Sequence, residues 1–518
     1  MTRMWPDIIK DQLTLLAANM PARRVSVDRQ QWLEVARALR ASDVQFLTMW
    51  GADDRDRDHC FRIYAVYLLA HDVLVVEHVI AETLTPTYPS LATTFPAAAR
   101  MQRAVHDLLG IATDESDTRN WLRHDGWPEA LFPLRRDVDA KHQYPIDSRP
   151  YAFVPVDGDG VHEIAVGPVH AGTIEPGHFR FSVVGEKILR LEERLGYTHK
   201  GIAKCFEGQT QQTGHRLAAR ISGDSAVAFS WAYCAAIESI TDRSCPVRAT
   251  TLRALALEHE RVANHLGDLG ALGNDAGFAF GLTQFSRLKE DLLRTNKLIF
   301  GARYLLDYVV PGGVAVDLPD HAHGLLVGLY FTLQHAVAEL RAIYDEHDGL
   351  QDRFRESGRL EQSVAQQLGA IGLAGRASGI SRDLRVDHPW PPYDKLGPNL
   401  VIESKGDVAA RVQVRFDEIF ESIRLCHALL REVPAGPIQG CIPAAEPERL
   451  GLGLVEGWRG PVFIALQTGP NGTIRRCHAH DPSWQNWPLV EYAVLGNIVP
   501  DFPLINKSFN LSYSGQDG

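Results

Sequence analysis

Four ionisable side chains follow Pro246 at three- and four-residue spacing: Glu258, Arg261, His265 and Asp268. On a helix, this spacing places them on one face, opposite an apolar stripe formed by neighbouring leucines. The pattern allows two interpretations. If the face is solvated, its members form ion pairs along the helix, which is the commoner arrangement. If it is buried against a partner, desolvation shifts the pKa of His265 and makes that side chain useful for proton chemistry.

A second candidate is the run Cys477-His478-Ala479-His480, which offers three metal ligands within four residues. Zinc and copper sites use such thiol and imidazole ligands. A fourth ligand at a suitable spacing is missing, and neighbouring side chains of a strand point to opposite faces. We therefore interpret the run as structural. The glycine-rich segments match neither a phosphate-binding loop nor a dinucleotide-binding motif, so the sequence predicts no nucleotide site.

The elements that would position these residues fall into two groups. In the first group, Arg62–Ala70 and Val73–Ile80 predict a β-hairpin, and Pro96–Leu109 predicts a covering helix that ends at Gly110. From Arg135 to Gly160, the chain is charged and rich in proline, aspartate and glycine. This composition is typical of a domain boundary.

The second group is mainly helical. Phe179–Val183 and Lys187–Glu192 predict two strands joined by a tight turn. Five helices are predicted after them: Ser225–Thr241, a segment that begins at Pro246, and the regions 284–308, 322–344 and 407–431. The predicted organisation is an N-terminal domain of residues 1–140, a linker of residues 141–160 and a C-terminal domain of residues 161–518.

The overall composition is that of a globular protein, with 518 residues of which 45% are hydrophobic and 23% charged. With 53 basic and 64 acidic residues the net charge is −11, and no basic block suits a nucleic acid partner. Seven cysteines without a C-x-x-C spacing indicate reduced thiols in a cytosolic compartment. Polar and charged residues interrupt the longest apolar stretches, so we predict no membrane-spanning segment. The charge run Asp53–Asp58 is interpreted as a solvated loop.

Segments of the second group resemble a known family. Gly167–Arg180 and Tyr197–Gly201 are similar to the start of the large subunit of membrane-bound (group 4, formate hydrogenlyase-type) nickel–iron hydrogenases, and to the homologous 49-kDa subunit of respiratory complex I. The resemblance continues through Arg220–Ser225, Arg261–Asp275, Val310–Val314, Asp407–Arg424, Glu456–Gly460 and Asp481–Asp517. In the first group, Arg103–Ile111 resembles a signature of the 30-kDa subunit of complex I.

This resemblance implies a fold class. We expect an α+β protein, in which an N-terminal α+β domain like the 30-kDa subunit precedes a mainly helical domain like the hydrogenase large subunit, with a small β element. The same domain order occurs in the fused subunits of complex I and of formate hydrogenlyase-type complexes. Within this family, the chain most resembles the large subunits of energy-converting hydrogenase-related complexes, which lack the cysteines that hold nickel and iron.

Four positions depart from the hydrogenase pattern. Nickel and iron in those enzymes are held by four cysteine thiolates, because soft sulfur ligands suit these metals. The matching positions in this sequence are Ser222, Ser225, Ser512 and Gly515. Serine hydroxyls stay protonated near neutral pH and glycine has no ligand atom. The resemblance therefore implies a chain without the metal site.

The quinone site of complex I is also incomplete. The resemblance places the quinone histidine at His178, with His170 as the alternative, and the quinone tyrosine at Gly223. Arg220 and His265 match the arginine and histidine that lie beside the terminal iron–sulfur cluster of the neighbouring small subunit. We therefore expect Arg220 and His265 to lie close together at the interface with that subunit.

The resemblance leaves three functions open. The first is a metal-free large subunit of a membrane-associated redox complex, related to complex I and the hydrogenases, that couples electron transfer to ion translocation. The second is the quinone-reducing subunit of a complex I-type NADH dehydrogenase. The third is a non-redox coupling or scaffold subunit.

The implied surroundings are those of a multisubunit oxidoreductase complex. The chain itself is expected to hold no cofactor, while an iron–sulfur cluster lies in the partner small subunit, quinone is a candidate ligand and NAD binds to other subunits. Antiporter-like and other membrane subunits are the further expected partners. The expected location is peripheral, on the cytoplasmic face of the inner membrane. The electron donor, the electron acceptor and the transported ion stay open.

The emptied metal pocket is the last candidate site. Glu175, His178 and Asp224 are expected to line it together with the serines and Arg220. Carboxylates and imidazoles exchange protons through hydroxyl groups and water. The alternatives are a proton relay with Glu175, His178 and Asp224 as its catalytic residues, or polar side chains that fill the vacated space.

Overall fold

The computed structural model describes residues 5–17, 21–114, 117–124, 126–139, 141–146, 150–170, 174–241 and 243–518. Three residues of the first hydrogenase-like motif, Ala171–Thr173, lie outside the described residues, as do parts of the predicted linker. Helices and strands alternate in the N-terminal region, and long helices dominate the C-terminal region.

The N-terminal region is built on a five-stranded sheet with the strand order β1-β2-β5-β4-β3, antiparallel except between β2 and β5. Its strands are β1 (Thr14–Ala17), β2 (Ala22–Val27), β3 (Gln45–Asp54), β4 (Cys60–Leu69), β5 (Asp72–Ala81) and the short pair β6 (Thr87–Tyr88) and β7 (Ala112–Thr113); its helices are α1 (Arg29–Ala41), α2 (Arg55–Asp58) and α3 (Ala98–Leu109). The predicted hairpin is β4–β5 and the predicted helix is α3, which ends at Gly110 with a φ of 69°. Both predictions are confirmed.

The charge run Asp53–Asp58 is not a solvated loop, so that prediction is wrong. Asp53 and Asp54 are 2% and 0% exposed at the end of β3. Asp54 accepts hydrogen bonds from Arg62 at 2.5 Å and from Arg475 of the C-terminal region at 3.0 Å. Arginines from both regions neutralise these carboxylates, which makes their burial between the regions tolerable.

The C-terminal region combines long helices with two three-stranded sheets in the described part of the chain. Its strands are β8 (Val161–Val166), β9 (His178–Val184), β10 (Lys187–Arg194), β11 (Val309–Val310), β12 (Gly313–Val314), β13 (Leu450–Glu456), β14 (Pro461–Thr468) and β15 (Ile474–His480). Its longer helices are α6 (Ala226–Ile240), α7 (Val247–Asp275), α8 (Ala279–Phe300), α9 (Ala322–Glu346), α15 (Val408–Arg431) and α16 (Ser483–Ala493).

Shorter helices connect these elements. They are α4 (Ile202–Cys205), α5 (Gly214–Ala218), α10 (Asp348–Phe354), α11 (Gln362–Leu368), α12 (Gly372–Ala377), α13 (Leu384–Asp387), α14 (Tyr393–Leu396), α17 (Phe502–Phe509) and α18 (Tyr513–Asp517), with 3₁₀ turns at Pro470–Gly472 and Val499–Asp501. Among the described residues, every helix is either too short or too polar for a bilayer crossing.

Helix α6 forms the centre of the C-terminal core. It is apolar on all sides and nearly every one of its residues is buried, because α7 packs on one side and the sheet β13–β15 on another. Gly453 of β13 lies so close to this helix that a Cβ there would overlap the carbonyl of Ala232. A glycine is therefore required for the sheet to approach α6.

The polar face of α7 is buried, so its interpretation as a solvated face is wrong. Glu258, Arg261 and His265 are fully buried, and Asp268 is 5% exposed. The predicted pair along the helix forms, with Glu258 and Arg261 joined at 3.2 Å. The covering elements belong to the same chain, because α15 supplies Glu418 to His265 at 2.7 Å and a further arginine to Asp268.

Candidate functional site

The four positions that match the hydrogenase cysteines lie together in a buried pocket of the C-terminal region. Ser222 and Ser225 directly precede α6, while Ser512 and Gly515 lie at the start of α18. The hydroxyl oxygens of Ser222 and Ser512 are 2.8 Å apart, and the amide of Gly515 donates to Ser512 Oγ at 2.8 Å. The three serines are at most 4% exposed. Two segments that are distant in sequence thus form one site.

Asp224 carries the negative charge of this pocket. Its carboxylate accepts hydrogen bonds from Ser222 Oγ at 2.7 Å and from both terminal nitrogens of Arg459 at 2.8 and 2.6 Å. Burial disfavours the charged form, but the guanidinium of Arg459 and these hydrogen bonds outweigh it and lower the pKa of Asp224. Asp224 is therefore an anion at neutral pH, and its side chain is 39% exposed.

Arg459 places a permanent cation among the former metal positions. It lies in the turn between β13 and β14, and its guanidinium packs over the ring of Trp458 at 3.9 Å from the centroid. Its Nε donates to the carbonyl of Asn510 at 2.6 Å, and Nη1 lies 3.5 Å from Ser225 Oγ. Because Arg459 is only 5% exposed, the guanidinium is a fixed part of the pocket.

A second carboxylate, that of Asp481, lies against Gly515. Asp481 is 1% exposed and follows β15 directly. A Cβ added to Gly515 would overlap Asp481 Oδ2 and would stand 2.8 Å from Ser512 Oγ. The other oxygen of Asp481 accepts the amide of Ser483 at 2.8 Å. Burial raises the pKa of Asp481 although Arg459 acts in the opposite direction. The space that a side chain at position 515 would need is thus filled by a carboxyl group.

Glu175 reaches the pocket from the protein surface. Its Oε2 accepts the amide of Ser514 at 3.0 Å, and Ser514 Oγ lies 3.5 Å from Ser512 Oγ. Ser512 contacts Ser222, which in turn donates to Asp224. These five residues form a series of polar contacts between an exposed carboxylate and the Asp224–Arg459 ion pair, in which Glu175 contacts the backbone amide of Ser514 and the hydroxyl groups begin at Ser514 Oγ.

His178 contacts a different part of the structure. Its Nδ1 lies 3.4 Å from the carbonyl of Gly167, and its ring packs against Phe153 with the centroids 5.3 Å apart. Burial lowers the pKa of His178. The alternative histidine, His170, packs against Phe179 instead. Among the described residues, neither imidazole forms a hydrogen bond with the serines or carboxylates of the pocket.

Arg220 and His265 contact different partners. The guanidinium of Arg220 pairs with Asp307 at 2.7 Å and is 48% exposed. His265 is completely buried, bonds Glu418 on α15, and its ring faces the edge of Trp458 with the centroids 6.0 Å apart. Burial lowers the pKa of His265, although the hydrogen bond to Glu418 raises it. Arg220 is open to a partner protein, whereas His265 can influence the pocket only through side chains of this chain.

Gly223, which matches the quinone tyrosine, borders open space. A Cβ on this residue would meet no atom within 4 Å. The recess beside it has a volume of about 20 Å³, and its walls include Glu260, Lys289 and Tyr304. Tyr304 is 49% exposed. The phenol of Tyr304 therefore lies near Gly223, the position that matches the quinone tyrosine of complex I.

The donor atoms of the pocket do not fit nickel or iron. The four former cysteine positions supply three hydroxyl groups and a bare glycine, whereas these metals are held by thiolates in the resembling enzymes. The nearest anion, Asp224, is already neutralised by the bidentate contact with Arg459. A bound metal ion would have to displace this guanidinium and the Asp481 carboxyl group.

Sequence reasoning missed Arg459 and Asp481. Both belong to segments that resembled the family, but neither stands at a cysteine position. One signal for Arg459 was available, because an aspartate between two buried serines needs a neighbouring cation. Gly515 was the signal for Asp481, since a buried position without a side chain requires a neighbour that fills the space.

Comparisons with known proteins agree with this architecture. The family models described as Respiratory-chain NADH dehydrogenase, 30 Kd subunit and 49 Kd subunit match residues 25–144 and 275–449. Formate hydrogenlyase subunit 5 of Escherichia coli (strain K12) is 32% identical over 479 residues, which cover 90% of this chain and 84% of that protein. The NADH-quinone oxidoreductase C/D protein of Phocaeicola vulgatus is 28% identical over 419 residues, which cover 76% and 80%.

A solved structure shares the fold. A chain of the membrane-bound sulfane sulfur reductase, an archaeal respiratory membrane complex, aligns with a TM-score of 0.66 and 23% identity, over 70% of this chain and all of that one. The predicted resemblance and the predicted α+β fold class, with a 30-kDa-like region before a 49-kDa-like region, are confirmed. The chain belongs to the family of complex I and group 4 hydrogenase large subunits, in the form that joins 30-kDa-like and 49-kDa-like domains.

Proposed function

We propose that this chain is the large subunit of a membrane-associated redox complex, that it works without a metal of its own, and that its pocket relays protons while electrons pass through a partner subunit. Relatives are named as subunits of formate hydrogenlyase and of NADH-quinone oxidoreductase, which supports a redox role. The observation that carries the proposal is the series of polar contacts from Glu175 to Asp224.

The hydroxyl groups of this series have a preferred direction. Ser512 Oγ already accepts the amide of Gly515, and Ser222 Oγ donates to Asp224, so the hydroxyl proton of Ser512 points to Ser222. A proton from Glu175 reaches the hydroxyl groups of Ser514 and Ser512 through water, because Glu175 itself contacts the Ser514 amide. Ser512 then releases its own proton to Ser222, and Ser222 releases its own proton to Asp224. Ser222 donates to Asp224, so Asp224 is the acceptor at the far end of the relay, and its ion pair with Arg459 keeps it unprotonated between transfers.

The proposed electron-carrying partner is an iron–sulfur small subunit that docks at Arg220. The exposed guanidinium of Arg220 suits such an interface, because a cation near a cluster raises its reduction potential. We assign His265 a positioning role instead, since it lies inside the chain and contacts Trp458 beside Arg459. The proposed electron acceptor is quinone or another compound, and NAD binds to other subunits. The further proposed partners are antiporter-like membrane subunits. The proposed location is peripheral, on the cytoplasmic face of the inner membrane.

The relay is tested by replacing its outer carboxylate. In the assembled complex, Glu175→Gln is expected to abolish ion translocation into inverted membrane vesicles while assembly stays normal. The matched control is Glu186→Gln, which changes an exposed carboxylate in the turn between β9 and β10. Wild-type translocation by Glu175→Gln would identify the pocket as a structural filling of vacated space.

The metal-free character is tested by elemental analysis. We expect no stoichiometric nickel in the purified complex and no hydrogen evolution, because Ser222, Ser225, Ser512 and Gly515 supply no thiolate. A nickel content near one equivalent per chain, together with hydrogen uptake, would contradict the proposal.

Quinone reduction is the second candidate function, and the hydrogen-bond donors near Gly223 favour it. The recess itself, at about 20 Å³, has room for about one water molecule, so a quinone would lie over its mouth, where Tyr304 and Lys289 offer donors to a carbonyl. If quinone binds there, Tyr304→Phe is expected to raise the KM for a water-soluble quinone analogue in the assembled complex. An unchanged KM, with quinone reduction absent in the wild type as well, would remove this candidate.

A further inference from the structure

The pocket contains two carboxyl groups in opposite environments. Asp224 receives three hydrogen bonds, two of them from the guanidinium of Arg459. Asp481 is 1% exposed, and among the described residues no arginine or lysine forms an ion pair with it. When the surroundings of two neighbouring carboxyl groups differ in this way, the buried one without an ion pair takes up a proton more readily than the ion-paired one. Asp481 is thus suited to hold a proton that Asp224 receives.

The position of Asp481 is tied to the lost metal site. Its Oδ2 lies within overlap distance of the point where a Cβ of residue 515 would stand, and Ser512 Oγ lies 2.8 Å from the same point. The carboxyl group therefore occupies the place of the fourth side chain of the pocket and lies next to the hydroxyl series. The only hydrogen bonds described for it come from Ser483, on the side away from Gly515.

We propose that Asp481 is the proton-storing residue of this pocket and that it stands in for the side chain that Gly515 lacks. The inference rests on the proposed proton relay and adds its internal store. The O–H bond of a transiently protonated Asp224 breaks and its proton passes to Ser222, as Ser222 releases its own proton to Ser512. Ser512 then protonates Asp481 Oδ2 through one water molecule, so one O–H bond is lost at Asp224 and one is gained at Asp481.

Several charged groups surround Asp481 and set its protonation. Arg459 from the β13–β14 turn favours the anion, whereas Asp224 from the loop before α6 favours the protonated form. Lys200, which donates to the carbonyls of Ile221 and Ser514, also lies within electrostatic range. Burial dominates over these charges and raises the pKa of Asp481, in agreement with the geometric assignment.

The protonation state is measured by infrared spectroscopy on the assembled complex. The wild type is expected to show the C=O stretch of a buried protonated carboxyl group that shifts in D₂O, and Asp481→Asn is expected to lack it. Asn keeps the acceptor for the Ser483 amide, so the start of α16 is preserved. The matched control, Glu260→Gln, removes another buried carboxyl group and must leave the Asp481 band in place. An identical band in the wild type and Asp481→Asn would overturn the assignment.

Ion translocation separates this inference from the function it rests on. If Asp481 stores the proton, Asp481→Asn and Glu175→Gln both abolish coupled translocation, and Asp481→Glu restores part of it with an altered pH profile. If only Glu175→Gln abolishes it, the relay stands and the role of Asp481 is refuted. If neither variant affects translocation, the proposed relay itself fails. Asp481→Ala, compared with Asp481→Asn by thermal unfolding, reports the structural role of the Ser483 contact separately.

Discussion

The buried charges of the C-terminal region follow two different arrangements. On the covered face of α7, carboxylates and arginines are matched closely: Arg376 contacts Glu418 at 2.5 Å and Glu456 at 3.0 Å, while Arg261 contacts Glu258. In the pocket, hydroxyl groups outnumber charges, and Asp481 is held without an ion pair among the described residues. An ion-paired carboxylate such as Glu418 resists protonation, whereas a buried carboxyl group without an ion pair takes up a proton more readily. The first arrangement serves stability and the second is suited to proton movement.

The largest expected effect comes from removing one partner of the matched arrangement. Arg376→Met removes the guanidinium shared by the buried Glu418 and Glu456, and among the described residues Glu418 keeps only His265 and a longer contact with Arg261. Breaking a buried pair of this kind costs about 3–5 kcal/mol of unfolding free energy. Urea unfolding of the purified chain measures this loss. A loss below about 1 kcal/mol would show that the network on α7 is not a stability element and would remove the contrast with the pocket.

Packing inside the pocket gives the next largest effect. Gly515→Ala places a methyl group onto the Asp481 carboxyl group, and overpacking of this kind costs about 1–3 kcal/mol. The cost is expected to shrink in the double variant with Asp481→Ala, because the smaller side chain vacates the space. Unfolding of the four proteins in a double-mutant cycle measures this coupling, and additive effects would mean that the two residues are not in contact.

Particular residues show how far sequence information reached. The hairpin β4–β5, helix α3 and the long helices were predictable, because apolar periodicity and a terminal glycine report local structure directly. The burial of the α7 face was not, since its covering arginines come from α12 and α15, and a polar stripe has the same sequence pattern in water and in a core. Likewise, the segments that contain Ser222 and Ser512 were identified from sequence. The guanidinium of Arg459 and the carboxyl group of Asp481 were not, because they come from turns that are distant in sequence.

The pH dependence of stability separates a protonated buried carboxyl group from an ionised one. Burial raises the pKa of Glu260 to about 8, despite hydrogen bonds from the amides of Val227 and Ala228. The folded chain then holds one more proton than the unfolded chain between pH 4.5 and about 8, so stability falls by about 1.4 kcal/mol per pH unit as pH rises in this window. Above the folded pKa, this contribution is lost.

The variant Glu260→Gln has no carboxyl group at this position, so it cannot lose a proton there as the pH rises. The difference in unfolding free energy between the variant and the wild type is therefore expected to grow in favour of the variant as the pH rises to about 8. Urea unfolding at a series of pH values measures it. A difference that does not depend on pH would show that Glu260 is ionised, as the matched carboxylates of α7 are.

The smallest effect is expected at the surface. Arg287 and Asp291 form an exposed pair at 3.6 Å along α8, with both side chains about half exposed. Arg287→Ala is expected to change the unfolding free energy by less than about 0.5 kcal/mol, because solvent screens such pairs. An effect as large as that of Arg376→Met would mean that burial is not what distinguishes the two kinds of ion pair.

The pocket also has a consequence for the order of folding events. Its contacts join residues that are far apart along the chain: 339 positions separate Glu175 from Ser514, 290 separate Ser222 from Ser512, and 235 separate Asp224 from Arg459. Long-range contacts of this kind form slowly, because the entropy of closing large loops must be overcome before they stabilise anything. Helices such as α6 and α7 can form from local contacts alone. The pocket is therefore expected to be among the last parts of the molecule to assemble, after the scaffold around it is already native.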